Sequence, residues 1–199
     1  MVRIANKESK EGIRSFIAIE VPEALQARMG ELQQELKKFE PDIKWVRPGN
    51  IHLTLKFLGT VAQELLEKVS SAVSPAVRQA EPFDLRLHGL GGFPSSRNPR
   101  VIWAGIDQGR EPISSLQAAI ETKTAALSFP SEGRPFKPHL TIGRVRSLKG
   151  RGELGRAIEE RQGVEIGIFQ AKEIILFQSK LTPAGAIYAK LKTFLMEGQ

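Results

Sequence analysis

A histidine-containing tetrapeptide occurs twice in the chain, at residues 52–55 and 139–142. Each copy reads His-Leu-Thr followed by an aliphatic residue, and together the copies contain two of the three histidines. Because side chains alternate on a β-strand, each histidine shares a face with the threonine two residues later, about 7 Å away. Imidazole exchanges protons near neutral pH, and a hydroxyl donates to anionic oxygens. Two such pairs could carry out acid–base chemistry on a phosphate without a metal ion.

The residues around both copies extend this strand pattern. In the first copy, alternation predicts a core face and a polar face, formed respectively by Ile51, Leu53, Leu55 and Phe57 and by His52, Thr54 and Lys56. The second copy has an equivalent polar face, formed by Lys137, His139 and Thr141. An ordinary strand with a hydrogen-bonded polar face would explain one copy, but the repetition favours a shared function. The third histidine, His88, has no threonine two residues later and is interpreted as structural.

The composition is that of an ordinary globular protein, and 199 residues suffice for one sizeable core. Cysteine is absent, which excludes disulfides and thiolate chemistry. No stretch approaches the roughly 20 apolar residues of a membrane span, and the polar N-terminus lacks a signal-peptide core. We therefore expect a cytoplasmic protein with no membrane contact. Residues 1–12 are expected to form a flexible tail before a single domain over residues 13–199.

The net charge of +7 is concentrated near the second motif. Residues 134–151 include six basic and no acidic side chains. A solvated surface would explain such a run by itself. A positive field around a histidine strand fits a polyanionic partner better, most simply nucleic acid.

The spacing of apolar residues predicts strands and helices in alternation after a first strand at residues 14–20. Helices are expected to begin near residues 22 and 112 and to cover about 62–77 and 153–160. Further strands are expected at 83–90, 100–106, 165–171, 173–181 and 186–195. This order indicates an α+β fold in which two antiparallel sheets with flanking helices meet and each contributes one histidine to a shared groove.

The two motifs resemble the paired H-x-T/S-x signatures of the two-histidine (2H) phosphoesterases. Their surroundings are similar to one branch, the RNA 2′,3′-cyclic phosphodiesterases, also called RNA 2′,5′-ligases. The resemblance extends from residue 13 to the C-terminus and rests on stretches at 14–19, 45–46, 52–59, 92–94, 99–103 and 136–144. It implies a bilobal, pseudo-twofold fold with a V-shaped active groove. It further implies hydrolysis of RNA 2′,3′-cyclic phosphate ends to a 2′-phosphate without metal or cofactor, and reversible, ATP-independent 2′–5′ ligation of RNA ends.

The resemblance also assigns roles to the motif residues. In that family the first histidine, here His52, is usually the proton donor, and the second, His139, is the proton acceptor. The residues alone are too symmetric to choose between these roles. Opening a cyclic phosphodiester requires one proton to be removed from water and one to be supplied to the departing oxygen. Thr54 and Thr141 are expected to donate hydrogen bonds to the non-bridging phosphate oxygens.

A third phosphate-binding candidate is Arg144, which resembles the family's arginine after the second motif. Regular alternation would point its side chain away from His139, but a bulge or strand end at Gly143 would turn it back. In the first strand, Phe16 could stack on a base, although core packing is the favoured interpretation.

Other classes of function fit the sequence less well. A metallohydrolase would need three or more ligands, and each motif supplies one histidine. An ATP-dependent ligase or kinase would need a phosphate-binding loop or an adenylation lysine motif, and neither occurs. A non-catalytic RNA-binding module remains the alternative, although binding alone does not require paired histidines. Nothing in the sequence indicates an obligate protein partner.

Overall fold

The computed structural model describes residues 12–147, 149–183 and 185–198. The predicted flexible tail at 1–12 therefore lies, apart from Gly12, outside the described residues. Within them the chain forms nine strands and four α-helices. Their order is β1 Ile13–Glu20, α1 Glu23–Lys37, β2 Ile43–Trp45, β3 His52–Val61, α2 Gln63–Arg78, β4 Phe83–Phe93, β5 Val101–Gln108, α3 Arg110–Ala125, β6 His139–Val145, α4 Arg151–Glu159, β7 Glu165–Ala171, β8 Glu173–Thr182 and β9 Gly185–Leu195. These bounds confirm the predicted order of helices and strands.

The helices begin where the sequence favours a start. Helix α1 follows Pro22, and Glu23 in its first turn complements the positive N-terminal end of the helix dipole. Helix α3 begins two residues earlier than predicted, directly after Gly109, whose φ of 84° lies in the left-handed region. Apolar residues of α1, α2 and α3 pack into one core against the sheet. No helix within the described residues has both the length and the apolar character needed to cross a membrane.

All strand pairings are antiparallel, in the order β7-β4-β5-β6-β3-β1-β8-β9, with β2 beside β6. The predicted α+β class with antiparallel strands is thus confirmed. The expected two sheets are continuous with each other. One strand group is β3-β1-β8-β9, the other is β7-β4-β5-β6 with β2, and β3 of the first pairs with β6 of the second. A single residue pair, Leu53 with Leu140, makes this junction.

The alternation predicted for β3 is wrong beyond Leu55. In the pairing of β1 with β3, Ala18 lies opposite Thr54 and Ile17 opposite Lys56, so Leu55 is the extra residue of a β-bulge. The bulge reverses the faces that follow it. Lys56 is therefore 1% exposed on the core side, whereas Phe57 is 55% exposed on the histidine side.

The buried Lys56 is paired with a carboxylate and a backbone carbonyl. Its Nζ donates to Glu121 Oε2 on α3 at 2.7 Å and to the carbonyl of Pro130 at 2.7 Å. Loss of one member of a buried ion pair typically costs about 3–5 kcal/mol of stability, because the other charge is left uncompensated. The lysine therefore links the first histidine strand to α3 and to the segment that leads into β6.

Candidate active site

The junction between β3 and β6 brings the two motifs together. Because Leu53 pairs with Leu140 in antiparallel register, His52 lies beside Thr141 and Thr54 lies beside His139. All four polar side chains line one groove of about 870 Å³. The structure therefore collects in one place the four motif residues that the sequence predicted.

Both histidines have one ring nitrogen held by the backbone. Nδ1 of His52 lies 2.8 Å from the carbonyl oxygen of Asn50, and Nδ1 of His139 lies 2.7 Å from that of Lys137. A carbonyl oxygen only accepts hydrogen bonds, so the proton of each neutral ring is on Nδ1. Nε2 is then the nitrogen of each ring that is left to exchange protons with a substrate.

Aromatic rings surround the imidazole of His52. Phe16 stacks on it at 4.6 Å between centroids, and the ring of Tyr188 is nearly perpendicular to it at 5.2 Å. Phe16 is itself 3% exposed and stacks on Phe177, which confirms core packing as its role. Burial lowers the pKa of His52, and the hydrogen bond to the Asn50 carbonyl opposes this shift by favouring the charged ring.

The environment of His139 is less enclosed and more positive. The ring of Phe93 is nearly perpendicular to the imidazole, with 5.0 Å between the ring centroids. Burial lowers the pKa of His139, and the positive charge of Arg144 lowers it further, against the opposing hydrogen bond to Lys137. Both imidazoles are thus shifted toward the neutral form at pH 7.

A β-bulge turns Arg144 toward the groove. Trp103 of β5 pairs with Thr141, but the next residue, Ile102, pairs with Gly143, so Ile142 is the extra residue. The bulge lies one residue before the predicted position at Gly143. After it, Arg144 shares the groove lining with His139.

Neighbouring residues fix this bulge. The carbonyl of Ile142 accepts hydrogen bonds from Gln33 Nε2 at 2.8 Å and from the backbone N–H of Val46 at 3.0 Å. A Cβ at Gly143 would lie 2.9 Å from Ile43 Cγ2, so a glycine allows β2 to approach here. The glycine thus permits close packing beside the bulge that turns Arg144.

The basic run at 134–151 divides into two groups. Arg134, Lys137 and Arg144 line the groove, whereas Arg146, Lys149 and Arg151 are not part of its lining. The side chain of Arg151 donates instead to the carbonyl of Pro99 at 3.3 Å. Only the first group lies where a groove-bound anion would meet it.

Sequence reasoning missed groove residues that come from distant elements. Arg14 on β1 and Tyr188 on β9 both line the groove. Burial raises the pKa of Tyr188, and the charges of Arg144 and Arg14 partly oppose this shift. Arg14 lies in the stretch 14–19 that carries the family resemblance, but no pattern marks it or Tyr188 as a groove residue. The strand order β3-β1-β8-β9 places both beside the first histidine.

The third histidine lies outside this groove. His88 is between Asp107 and Glu165, with nitrogen–oxygen distances of 3.7 and 3.6 Å. Within the described ranges, no cluster of three or more histidine, aspartate or glutamate side chains could hold a metal ion. The groove therefore offers two imidazoles, two hydroxyls and cationic groups, a set suited to proton transfer at an anion.

Comparisons with known proteins agree with this chemistry. The chain is 37% identical to the RNA 2′,3′-cyclic phosphodiesterase of Methanothermobacter thermautotrophicus over 182 residues, which cover 92% of this chain and 98% of the relative. It is 36% identical to the protein of the same name from Methanocaldococcus jannaschii over 180 residues, or 90% and 99% of the two chains.

A solved structure and a family model also match most of the chain. A crystal structure from Thermus thermophilus matches with a TM-score of 0.75 and 30% identity, covering 94% of this chain and 100% of that one. The family model of LigT-like phosphoesterases matches residues 19–103 and 105–188, and each match contains one histidine motif. The chain therefore belongs to the LigT-like phosphoesterases of the 2H superfamily and is an enzyme.

Proposed function

We propose that this enzyme hydrolyses RNA 2′,3′-cyclic phosphate ends to 2′-phosphates by a metal-independent mechanism in which His52 and His139 transfer the protons. The observation that carries the proposal is the pair of imidazoles in one groove, each with Nδ1 bonded to the backbone and Nε2 free to exchange a proton. The named activity of the relatives in two archaea supports the substrate. Membership of an enzyme family favours this function over a non-catalytic RNA-binding module.

The reaction uses the two nitrogens in opposite roles. His139 Nε2 accepts a proton from water as the water oxygen bonds to phosphorus. The bond between phosphorus and the 3′ oxygen breaks, and His52 Nε2–H donates the proton that this oxygen needs. The product is a 2′-phosphate with a free 3′-hydroxyl. Each transfer typically contributes 10²–10⁴-fold to the rate.

Three side chains are proposed to bind the phosphate. The hydroxyls of Thr54 and Thr141 donate to the non-bridging oxygens, and the Arg144 guanidinium adds a charge-assisted hydrogen bond. Hydrogen-bond donors that are already in place stabilise the negative charge that develops on the phosphate oxygens in the transition state.

The overall form also belongs to this proposal. We propose a bilobal, pseudo-twofold fold with a V-shaped groove and one domain over 13–199, and the two successive family matches support it.

The same site would also support ligation. A ribose 5′-hydroxyl in the place of water would attack phosphorus, release the 3′ oxygen and leave a 2′–5′ phosphodiester bond. No ATP is consumed, because a cyclic ester is exchanged for an acyclic one. The reverse reaction needs only the exchange of roles between the two histidines.

A cytoplasmic location of the enzyme stays a prediction.

The proposed reaction is tested with purified protein and an oligoribonucleotide that ends in a 2′,3′-cyclic phosphate. We expect ring opening at an undiminished rate in the presence of EDTA, because imidazoles supply both proton transfers. The product should be a 2′-phosphate, identified by ³¹P NMR and by comparison with synthetic standards. A 3′-phosphate product would contradict the proposed leaving group. Loss of activity in EDTA that Zn²⁺ or Mn²⁺ restores would contradict the metal-independent mechanism.

The pH profile of kcat/KM is expected to be bell-shaped with its maximum below pH 6.5. The active free enzyme has one protonated and one neutral histidine, and this form is most abundant midway between the two pKa values. Burial lowers both values from 6.5, so the rate falls as rising pH deprotonates the donor. Stopped-flow or initial-rate kinetics from pH 4 to 9 would measure the profile. A maximum above pH 7 would show that the free enzyme does not use these two groups in this way.

A further inference from the structure

An exposed aromatic ring lies in the groove away from the proton-transfer residues. Phe57 is 55% exposed and lines the groove together with both histidines. Its position follows from the β-bulge at Leu55, which puts a phenylalanine in solvent and a lysine in the core. Exposing a phenylalanine ring to water and burying a lysine charge each cost free energy by themselves. Departures from local sequence rules of this kind are concentrated at functional sites.

One aromatic ring, that of Phe16, separates Phe57 from the first histidine. Phe16 is stacked on His52 at 4.6 Å, and Phe57 lies 6.2 Å from Phe16 in a tilted arrangement. These contacts place Phe57 within about 11 Å of His52, so a base on the Phe57 ring would lie further along the groove than a phosphate between the histidines. Because Phe16 is buried, Phe57 is the ring on this path that has a face open to a ligand.

Other rings lie closer to the reacting phosphate. Tyr188 contacts His52 and Phe93 contacts His139, and both line the groove. They adjoin the space for the terminal nucleotide, whose phosphate must lie between the histidines. Phe57 adjoins the next part of the groove, toward the far end of β3.

A cation lies on the neighbouring strand at the same end. Arg14 is two residues from Phe16 on the same face of β1 and lines the groove. In the described part of the chain its side chain has no hydrogen bond or ion pair. An aromatic ring beside a free cation is the combination with which proteins hold single-stranded nucleic acid.

We propose that Phe57 is the stacking platform for the base of the nucleotide that precedes the cyclic phosphate end, and that Arg14 neutralises the phosphate linking it to the terminal nucleotide. This inference rests on the proposed function and defines its substrate as an RNA strand end in preference to a cyclic mononucleotide. Stacking tolerates any base, so the subsite selects for a second nucleotide without selecting its identity.

The test compares kcat/KM for a cyclic-phosphate dinucleotide and a cyclic mononucleotide. We expect Phe57→Ala to lower the ratio of the two values by about 10- to 100-fold, the usual effect of losing one stacked base. Phe57→Trp should keep the ratio. Ile168→Ala is the matched control, since Ile168 is 57% exposed on β7 and is not part of the groove lining.

The substrate provides a second test that needs no variant. A dinucleotide with an abasic ribose before the cyclic end should react with wild-type enzyme as slowly as the intact dinucleotide reacts with Phe57→Ala. Combining the two changes should cause no further loss, because both remove the same contact. An unchanged ratio in Phe57→Ala, or an equally good abasic substrate, would overturn the inference.

A binding measurement tests the Phe57 subsite independently of the proposed reaction. The affinity of a dinucleotide that ends in a 2′-phosphate, measured by calorimetry, should fall in Phe57→Ala whether or not the enzyme opens cyclic ends. Arg14→Gln should reduce the slope of log affinity against log salt by about 0.7, the value for one phosphate of a single strand. Unchanged affinity and slope would refute the subsite, and failure of wild type to open either substrate would refute the reaction.

Discussion

His52→Ala and His139→Ala are each expected to lower kcat by about 10²–10⁴-fold on a cyclic-phosphate substrate. The two imidazoles lie in one groove with Nε2 as the nitrogen available to the substrate, so each variant loses the group that makes one of the two proton transfers. Steady-state kinetics of the purified variants measure the effect. The double variant should lose less than the product of the single losses, because the two groups act as one unit.

His88→Ala is the control for loss of a histidine. This residue lies outside the groove and between two carboxylates, so its replacement should leave kcat near the wild-type value. Circular dichroism should show that all three variants are folded. A folded His52 or His139 variant with near-normal kcat would contradict the assigned role of that residue.

Arg144→Ala is expected to lower kcat by about 10²–10³-fold, the usual effect of removing one preorganised donor to a developing oxyanion. Mononucleotide and oligonucleotide substrates should be affected alike, since both present the same phosphate to the histidines. Arg144→Lys should recover part of the loss, because an ammonium group supplies charge without the two parallel donors of a guanidinium. Kinetics on both substrates test this expectation.

Arg146→Ala is the matched control for this variant. Arg146 is an exposed arginine two residues further along the chain and is not part of the groove lining. Its replacement should change kcat little. Equal effects of the two variants would indicate that general positive charge, and not a direct contact from Arg144, favours catalysis.

The alternation of side chains along a strand correctly predicted that the histidine and threonine of each motif share a face. His52, Thr54, His139 and Thr141 line one groove because the period of two holds over these short stretches. It failed in β3 after Leu55, where one extra residue exchanges the two faces. The bulge at Leu55 depends on pairing with β1, and no glycine adjoins it in the sequence as Gly143 adjoins the bulge in β6.

Long-range pairing explains the other differences. Arg14 and Tyr188 lie about 170 residues apart in the chain, and only strand order brings them to one groove. The basic run near the second motif was visible in the sequence, but its division between groove and outer surface depends on how each side chain packs. The direction of Arg144 depends both on a bulge and on a long-range contact. The bulge turns its side chain, and the buried Gln33 on α1 supports that bulge.

The single residue pair between β3 and β6 has a consequence for how the enzyme folds. The two histidine motifs are 87 positions apart in sequence, so this contact closes one of the longer loops in the chain. Contacts of large sequence separation are entropically costly and form late, after local hairpins and helices. The pairing of β1 with β8 closes a still longer loop, because Ser15 lies opposite Gln178. Helices and local hairpins can therefore form before either long-range pairing brings the histidine strands into place. Catalytic competence is then among the last properties to return during refolding, which makes activity a stricter measure of the native state than helix or strand content.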